Sequence, residues 1–160
     1  MRNWRRPILS IFFWIAAAVW CGVLFFFSGQ DAAESSALSY RITEFVLRVL
    51  PFLPYSVDAM NLILRDVAHF GIFAVEGFLL GCAMMTTLSR RALGGLLAAF
   101  ACGAMAVLNE YHQTFADGRA CEVKDMLVDS GGALTGVLFA ALILSLGFHI
   151  AGRLSRASKC

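Results

Sequence analysis

Four runs that carry almost no charge, Ile8–Phe27, Val67–Leu88, Ala92–Leu108 and Ser130–Ile150, constrain this chain more than any other feature. A helix needs roughly 20 residues to cross a hydrocarbon core about 30 Å thick, and each run approaches or exceeds that length. Backbone polar groups find no water there, so lipid-exposed segments must be helices or closed barrels, and runs of this length read as helices. With 59% hydrophobic and 15% charged residues, the whole chain lies outside the range of soluble domains. The expected fold is all-α: an integral membrane four-helix bundle forming a single domain over residues 1–160, with spans at about 8–28, 66–88, 92–109 and 126–149.

Arg2, Arg5 and Arg6 precede the first run, as they would in a signal peptide. That run is longer than such a segment uses and ends in FFFSGQ without a small-residue cleavage site, so an uncleaved span is expected. Basic residues then set the orientation. With the N-terminus inside, the inner segments receive Arg2, Arg5, Arg6, Arg90, Arg91, Arg153, Arg156 and Lys159, eight of the thirteen basic residues, and none of the eleven acidic ones. Both termini are therefore expected to be cytoplasmic. The net charge of +2 averages two chemically different faces and gives no reason to expect a nucleic-acid partner. Cys21, Cys82 and Cys102 fall within spans, Cys121 in an outer loop and Cys160 in the tail, which does not make a disulfide framework.

Between the first two spans, Leu38, Ile42, Phe45, Val46 and Val49 recur at helical spacing while Arg41, Glu44 and Arg48 share another face. This predicts an amphipathic helix in the outer interface, opened by Asp31 as cap with Glu34 reaching back to it. Pro51 and Pro54 end it, and YSVDAMNLILRD is expected to lead into the second span as added turns.

The polar chemistry collects at the outer ends. His69 lies just inside the second span, and Glu76 shares its face about 10 Å deeper. An ionisable group at that depth must be paired, neutralised or hydrated, so Glu76 is expected to face the bundle interior, as a hydrogen-bonded structural acid or as a proton-linked group. At the end of the third span NEYHQTFADGR concentrates Asn109, Glu110, His112, Gln113 and Arg119, and a turn of helix would point Asn109, His112 and Gln113 roughly one way. The fourth span opens with Asp125, Asp129, Gly132 and Gly136 on one stripe; the glycines invite a neighbouring backbone, and either aspartate suits a helix N-terminus. Ser28 and Gln30 end the first span. A solvated helix end accounts for some of these residues, but less well for their convergence from several helices at one depth. Arg119, after Gly118, has the planar fork for a phosphate or carboxylate.

His69, Glu110, His112 and Asp125 also form a pool of metal-ligand types, but no ligand spacing of a recognised kind supports a metal, so neither metal nor other cofactor is expected. A histidine–carboxylate pair with an arginine suits a hydrolase or transferase on a phosphate-bearing lipid. A proton-coupled carrier using Glu76 is a second alternative.

The joint pattern RDVAHFGIFAVEGFLLG, NEYHQTFADGRACEVKDMLVDSGGALTG and FSGQ after the first span resembles the VanZ-like family of small bacterial membrane proteins over nearly the whole chain. The resemblance implies a multi-pass protein of the bacterial cytoplasmic membrane, acting at the cell envelope and affecting susceptibility to the glycopeptide teicoplanin. Its motif positions are Ser28, Gln30, His69, Glu110, His112, Gln113, Arg119 and Asp125. The chain departs from the family at Asp66, where a basic residue is usual, and at Ile72 and Phe73, where Glu-Tyr often follows. The expected function is binding or modification of a membrane lipid or lipid-linked envelope precursor in an outward-facing polar pocket built by these residues with Asp129. His69, Glu110, His112 and Asp125 are the candidate reactive groups, and nothing in the sequence sets an oligomeric state.

Overall fold

The structure, a computed structural model, describes residues 5–157. Arg2, Lys159 and Cys160 lie outside the described residues. Five helices follow one another: α1 (Arg5–Ser28), α2 (Ala32–Val49), α3 (Val57–Thr87), α4 (Arg91–Gln113) and α5 (Val123–Ala157). All but α2 are long and apolar enough to cross a membrane, and their outward surfaces carry large apolar side chains such as Phe12, Leu96, Phe100 and Leu138. Such a surface fits a lipid solvent, in which exposed apolar groups cost nothing.

All four spanning helices run past the expected limits, α1 by starting at Arg5. α3 starts at Val57, with Ser56 accepting from the Ala59 amide as its N-cap, so YSVDAMNLILRD does lead straight into the span. At 31 residues it is about 46 Å long and extends beyond the hydrocarbon core. α4 reaches Gln113 because its last turn buries Asn109, Glu110 and Gln113 against other helices. α5 runs from Val123 to Ala157.

The core is made of small residues, Ala17, Ala98, Cys102, Ala106, Ala133 and Ala140, interleaved with Leu24, Phe73, Leu80 and Val137. Where attraction between helices rests on close packing, small side chains allow backbones to approach. The approach is tightest between α3 and α5: a Cβ built on Gly132 would lie 2.2 Å from the Phe70 carbonyl oxygen, and one on Gly136 2.0 Å from that of Ala74. The contact is reciprocal, since a Cβ built on Gly77 of α3 would likewise run into the Ala133 carbonyl.

Hydrogen bonds tie both ends of the bundle. At the end nearer the termini, Ser10 pairs with the Thr87 hydroxyl at 2.6 Å and Trp14 donates to the same oxygen at 3.0 Å. At the opposite end α2 folds back on α3. Ser39 and Thr43 both meet Asn61 Oδ1, and Tyr40 donates to Asp58 at 3.0 Å. Asp31 stands at the N-cap of α2 but makes no cap hydrogen bond. Its carboxylate instead accepts from the Asp117 amide at 3.3 Å while Ala32 N donates to the Asp117 carbonyl at 3.0 Å, clasping α2 to the α4–α5 loop. Leu38 and Ile42, expected on a lipid-facing stripe, border a cavity under α2 yet stay about half exposed, and Phe45 and Val49 are exposed as well.

Candidate functional site

The cavity lies where α1, α2, α3 and α4 meet, at the end of the bundle away from the termini. Its volume is about 420 Å³, within the range of small-molecule sites. Leu24, Phe27, Leu38, Ile42, Ile72 and Phe73 supply apolar wall, while Ser28, Gln30, His69, Asn109, Gln113, Arg65 and Arg119 supply polar groups. A second, more polar space of about 170 Å³ adjoins it, sharing Ser35, Arg65, Gln113 and Arg119 and adding Glu122 and Asp125. The combined space is amphipathic, with guanidinium groups where apolar wall gives way to polar.

Both guanidiniums line both spaces, and Glu110 and Asp125 act on Arg119 only from a distance. Neither Arg65 nor Arg119 makes an ion pair or side-chain hydrogen bond among the described residues. Burial, and next the charge of Arg65, draws the Arg119 guanidinium below its usual range. Two unit charges of like sign are mutually unfavourable, and an anion placed between them would reverse that sign. Gly118 positions Arg119: its φ of 73° is a left-handed conformation that glycine adopts without strain, and it turns the loop back towards α2.

Behind one wall lies a second polar layer. His69 separates it from the cavity, with its Nδ1 3.1 Å from Asp129 Oδ1. Glu110 completes the layer, its Oε2 accepting from the Glu122 amide at 3.0 Å. Asp129 and Glu110 have no exposed surface, and ligand atoms of His69, Glu110 and Asp129 lie within 4.8 Å of one another. One oxygen on each carboxylate, Glu110 Oε1 and Asp129 Oδ2, is buried without a hydrogen-bond partner, as are Asn109 Oδ1 and Ser28 Oγ. Since buried polar groups are nearly always satisfied, such a concentration of orphans in one region marks a site for a ligand, ion or water.

The structure thus brings together Ser28, Gln30, His69, Gln113 and Arg119 around the main cavity, Asp125 in the adjoining space, and Glu110 and Asp129 behind His69. It does not bring in His112. That ring turns towards α1, edge-on to Phe25 with centroids 5.5 Å apart and close over Gly29, so the expected common direction of Asn109, His112 and Gln113 fails at His112. Glu76 faces the interior as expected, buried near Cys21 and Cys102, and borders neither cavity. Asp125 sits in the first turn of α5 at the helix N-terminus. Asp66 pairs with Lys124 at 2.7 Å and joins α3 to α5.

Sequence reasoning missed Arg65. Its signal was available: it precedes His69 by four residues, which places both on one helical face. Ser35 and Ser39 were also missed, because α2 was read as an interfacial element rather than as a cavity wall.

A family model described as VanZ/LLP1 matches residues 13–144. No significant match was found among curated proteins or solved structures.

Proposed function

The chain belongs to the VanZ/LLP1 family, and from that premise we propose that it binds a phosphate-bearing amphiphile, a membrane lipid or lipid-linked cell-wall precursor, at the cavity end of the bundle. The apolar wall of Leu24, Phe27, Leu38, Ile42, Ile72 and Phe73 takes the hydrocarbon part, and Arg65 and Arg119 take the phosphate. The basic segments near both termini support an orientation with this end on the non-cytoplasmic side of the bacterial cytoplasmic membrane and α2 in the outer interface. By holding or altering an envelope component there, the protein changes susceptibility to glycopeptides, teicoplanin included.

The observation that carries this reading is the pair of guanidiniums, neither in a direct ion pair among the described residues, at the polar end of an apolar cavity. A charge-assisted hydrogen bond contributes about 1.5–3 kcal/mol, so losing both arginines should weaken binding roughly 100-fold or more. Purified protein is titrated with a polyprenyl phosphate and with the unphosphorylated alcohol, read by native mass spectrometry. Preference for the phosphate that disappears in Arg65→Ala/Arg119→Ala is expected; equal binding of both compounds overturns the reading. In cells, expression of the unaltered chain should shift teicoplanin sensitivity and the double variant should not.

A second reading, acid–base turnover of the bound amphiphile, is favoured by the Asp129–His69 pair, in which the carboxylate orients an imidazole that borders the cavity. Labelled lipid phosphate incubated with the protein should then be converted by the unaltered chain and by His112→Ala, but not by His69→Ala. Tight binding without conversion rejects turnover and leaves the binding reading intact.

A further inference from the structure

We propose that His69, Glu110 and Asp129 bind a divalent metal ion of the zinc or manganese type in the layer behind the cavity. The three side chains come from α3, α4 and α5, so no sequence spacing reveals them as a set, and Asp129 replaces Asp125 and His112 from the pool the sequence suggested. Their ligand atoms lie within 4.8 Å of one another. The 3.1 Å between His69 Nδ1 and Asp129 Oδ1 is near the ligand–ligand edge, about 3.3 Å, of a tetrahedral site with bonds of about 2.0 Å.

A hydrogen bond fits that single distance equally well; the carboxylates discriminate. Both are wholly buried, and Glu110 Oε1 and Asp129 Oδ2 accept nothing among the described residues. No lysine or arginine among the described residues forms an ion pair with either. Arg119 acts on Glu110 only through space, and Asp125 adds a further negative charge close to both carboxylates. Protonation of His69 would offset the charge on Asp129 but leaves Glu110 Oε1 and Asp129 Oδ2 without partners. A divalent cation offsets both carboxylate charges and gives Glu110 Oε1 a partner.

The surroundings suit an ion as well. Glu110 is oriented by the Glu122 amide, the kind of outer contact that holds a metal-binding carboxylate in place. Asn109 interacts with Asp129 and has a buried Oδ1 without partner, a neutral oxygen available as a fourth donor. One imidazole nitrogen, carboxylate oxygens and no thiolate select zinc, manganese or iron(II) over copper(I). His69 is 22% exposed in its side chain and borders the cavity, which gives the ion an entry path. An ion held by His69 occupies the nitrogen lone pair it binds, so metal binding and base chemistry through that same nitrogen exclude each other.

The test uses the full-length protein in detergent, stripped with chelator and titrated with zinc chloride alone by calorimetry, and with cobalt(II) chloride by visible absorption. One ion per chain and an intense cobalt band of low-symmetry coordination are expected. Asp129→Asn and Glu110→Gln, which keep shape and remove a ligand charge, should weaken binding at least about 10-fold, while His112→Ala leaves it unchanged. Arg65→Ala/Arg119→Ala should keep the metal and lose the amphiphile, so failure here and failure of the cavity reading are separable. The proposal is overturned if the unaltered protein takes up no stoichiometric ion, a result that needs no variant to fold, or if the two isosteric variants bind as tightly as the parent.

Discussion

Glu76 and Glu110 are both buried glutamates with one unpartnered oxygen, yet their neighbours assign them different chemistry. Glu110 stands beside His69 and Asp129 and accepts a backbone hydrogen bond, whereas Glu76 lies among Phe73, Leu80 and the thiols of Cys21 and Cys102, outside both cavities. A charge in a spanning helix costs about 2.5–3.5 kcal/mol on insertion scales, so at Glu76 an amide of the same shape should be tolerated. Glu76→Gln is expected to unfold within about 1 kcal/mol of the parent in a denaturant or thermal series, and Glu76→Lys to lose several kcal/mol. A large loss in Glu76→Gln would mean that the carboxylate itself is required. At this scale the sequence was informative about which residue types matter and less so about where they point. His69 and Glu76 were readable because one helix fixes both; His112 was not, because its direction depends on Phe25 and Gly29 of another segment.

The α3–α5 pair was legible in the sequence as a glycine stripe, since Gly-x-x-x-Gly encodes backbone approach without reference to the partner. What the stripe does not encode is that Gly77 on α3 answers it with a close approach of its own. Alanine in place of a helical glycine normally gains about 1 kcal/mol of propensity. At Gly136 the new Cβ would sit 2.0 Å from the Ala74 carbonyl oxygen, closer than any real contact, so repulsion wins. Gly136→Ala and Gly132→Ala should each destabilise by about 1–3 kcal/mol, the usual cost of overpacking, as measured by unfolding in mixed detergent. Gly103→Ala, with no atom within 4 Å of the added carbon, provides the control and should be neutral or stabilising. α2 was visible as a helix from its periodicity, but its role as cavity wall was hidden, because an apolar residue facing lipid and one facing an amphipathic cavity look the same in sequence.

Across the whole molecule, the distribution of basic residues predicts an orientation, and Cys121 offers a direct reading of it. This thiol is exposed in the loop between α4 and α5, while Cys82 and Cys102 are buried and Cys21 is half-buried within a spanning helix. In a Cys160→Ser background, a membrane-impermeant maleimide should label intact bacterial spheroplasts at Cys121; labelling only after lysis would invert the topology. The same loop carries Arg119 and is clasped to α2 through Asp31, Ala32 and Asp117, and α2 is fastened to α3, the helix of Arg65, through Asn61 and Asp58. The two segments that carry these cations are therefore laced together through α2 by side-chain and main-chain hydrogen bonds. On the proposed reading, a guest of opposite charge meets a berth already shaped by the fold.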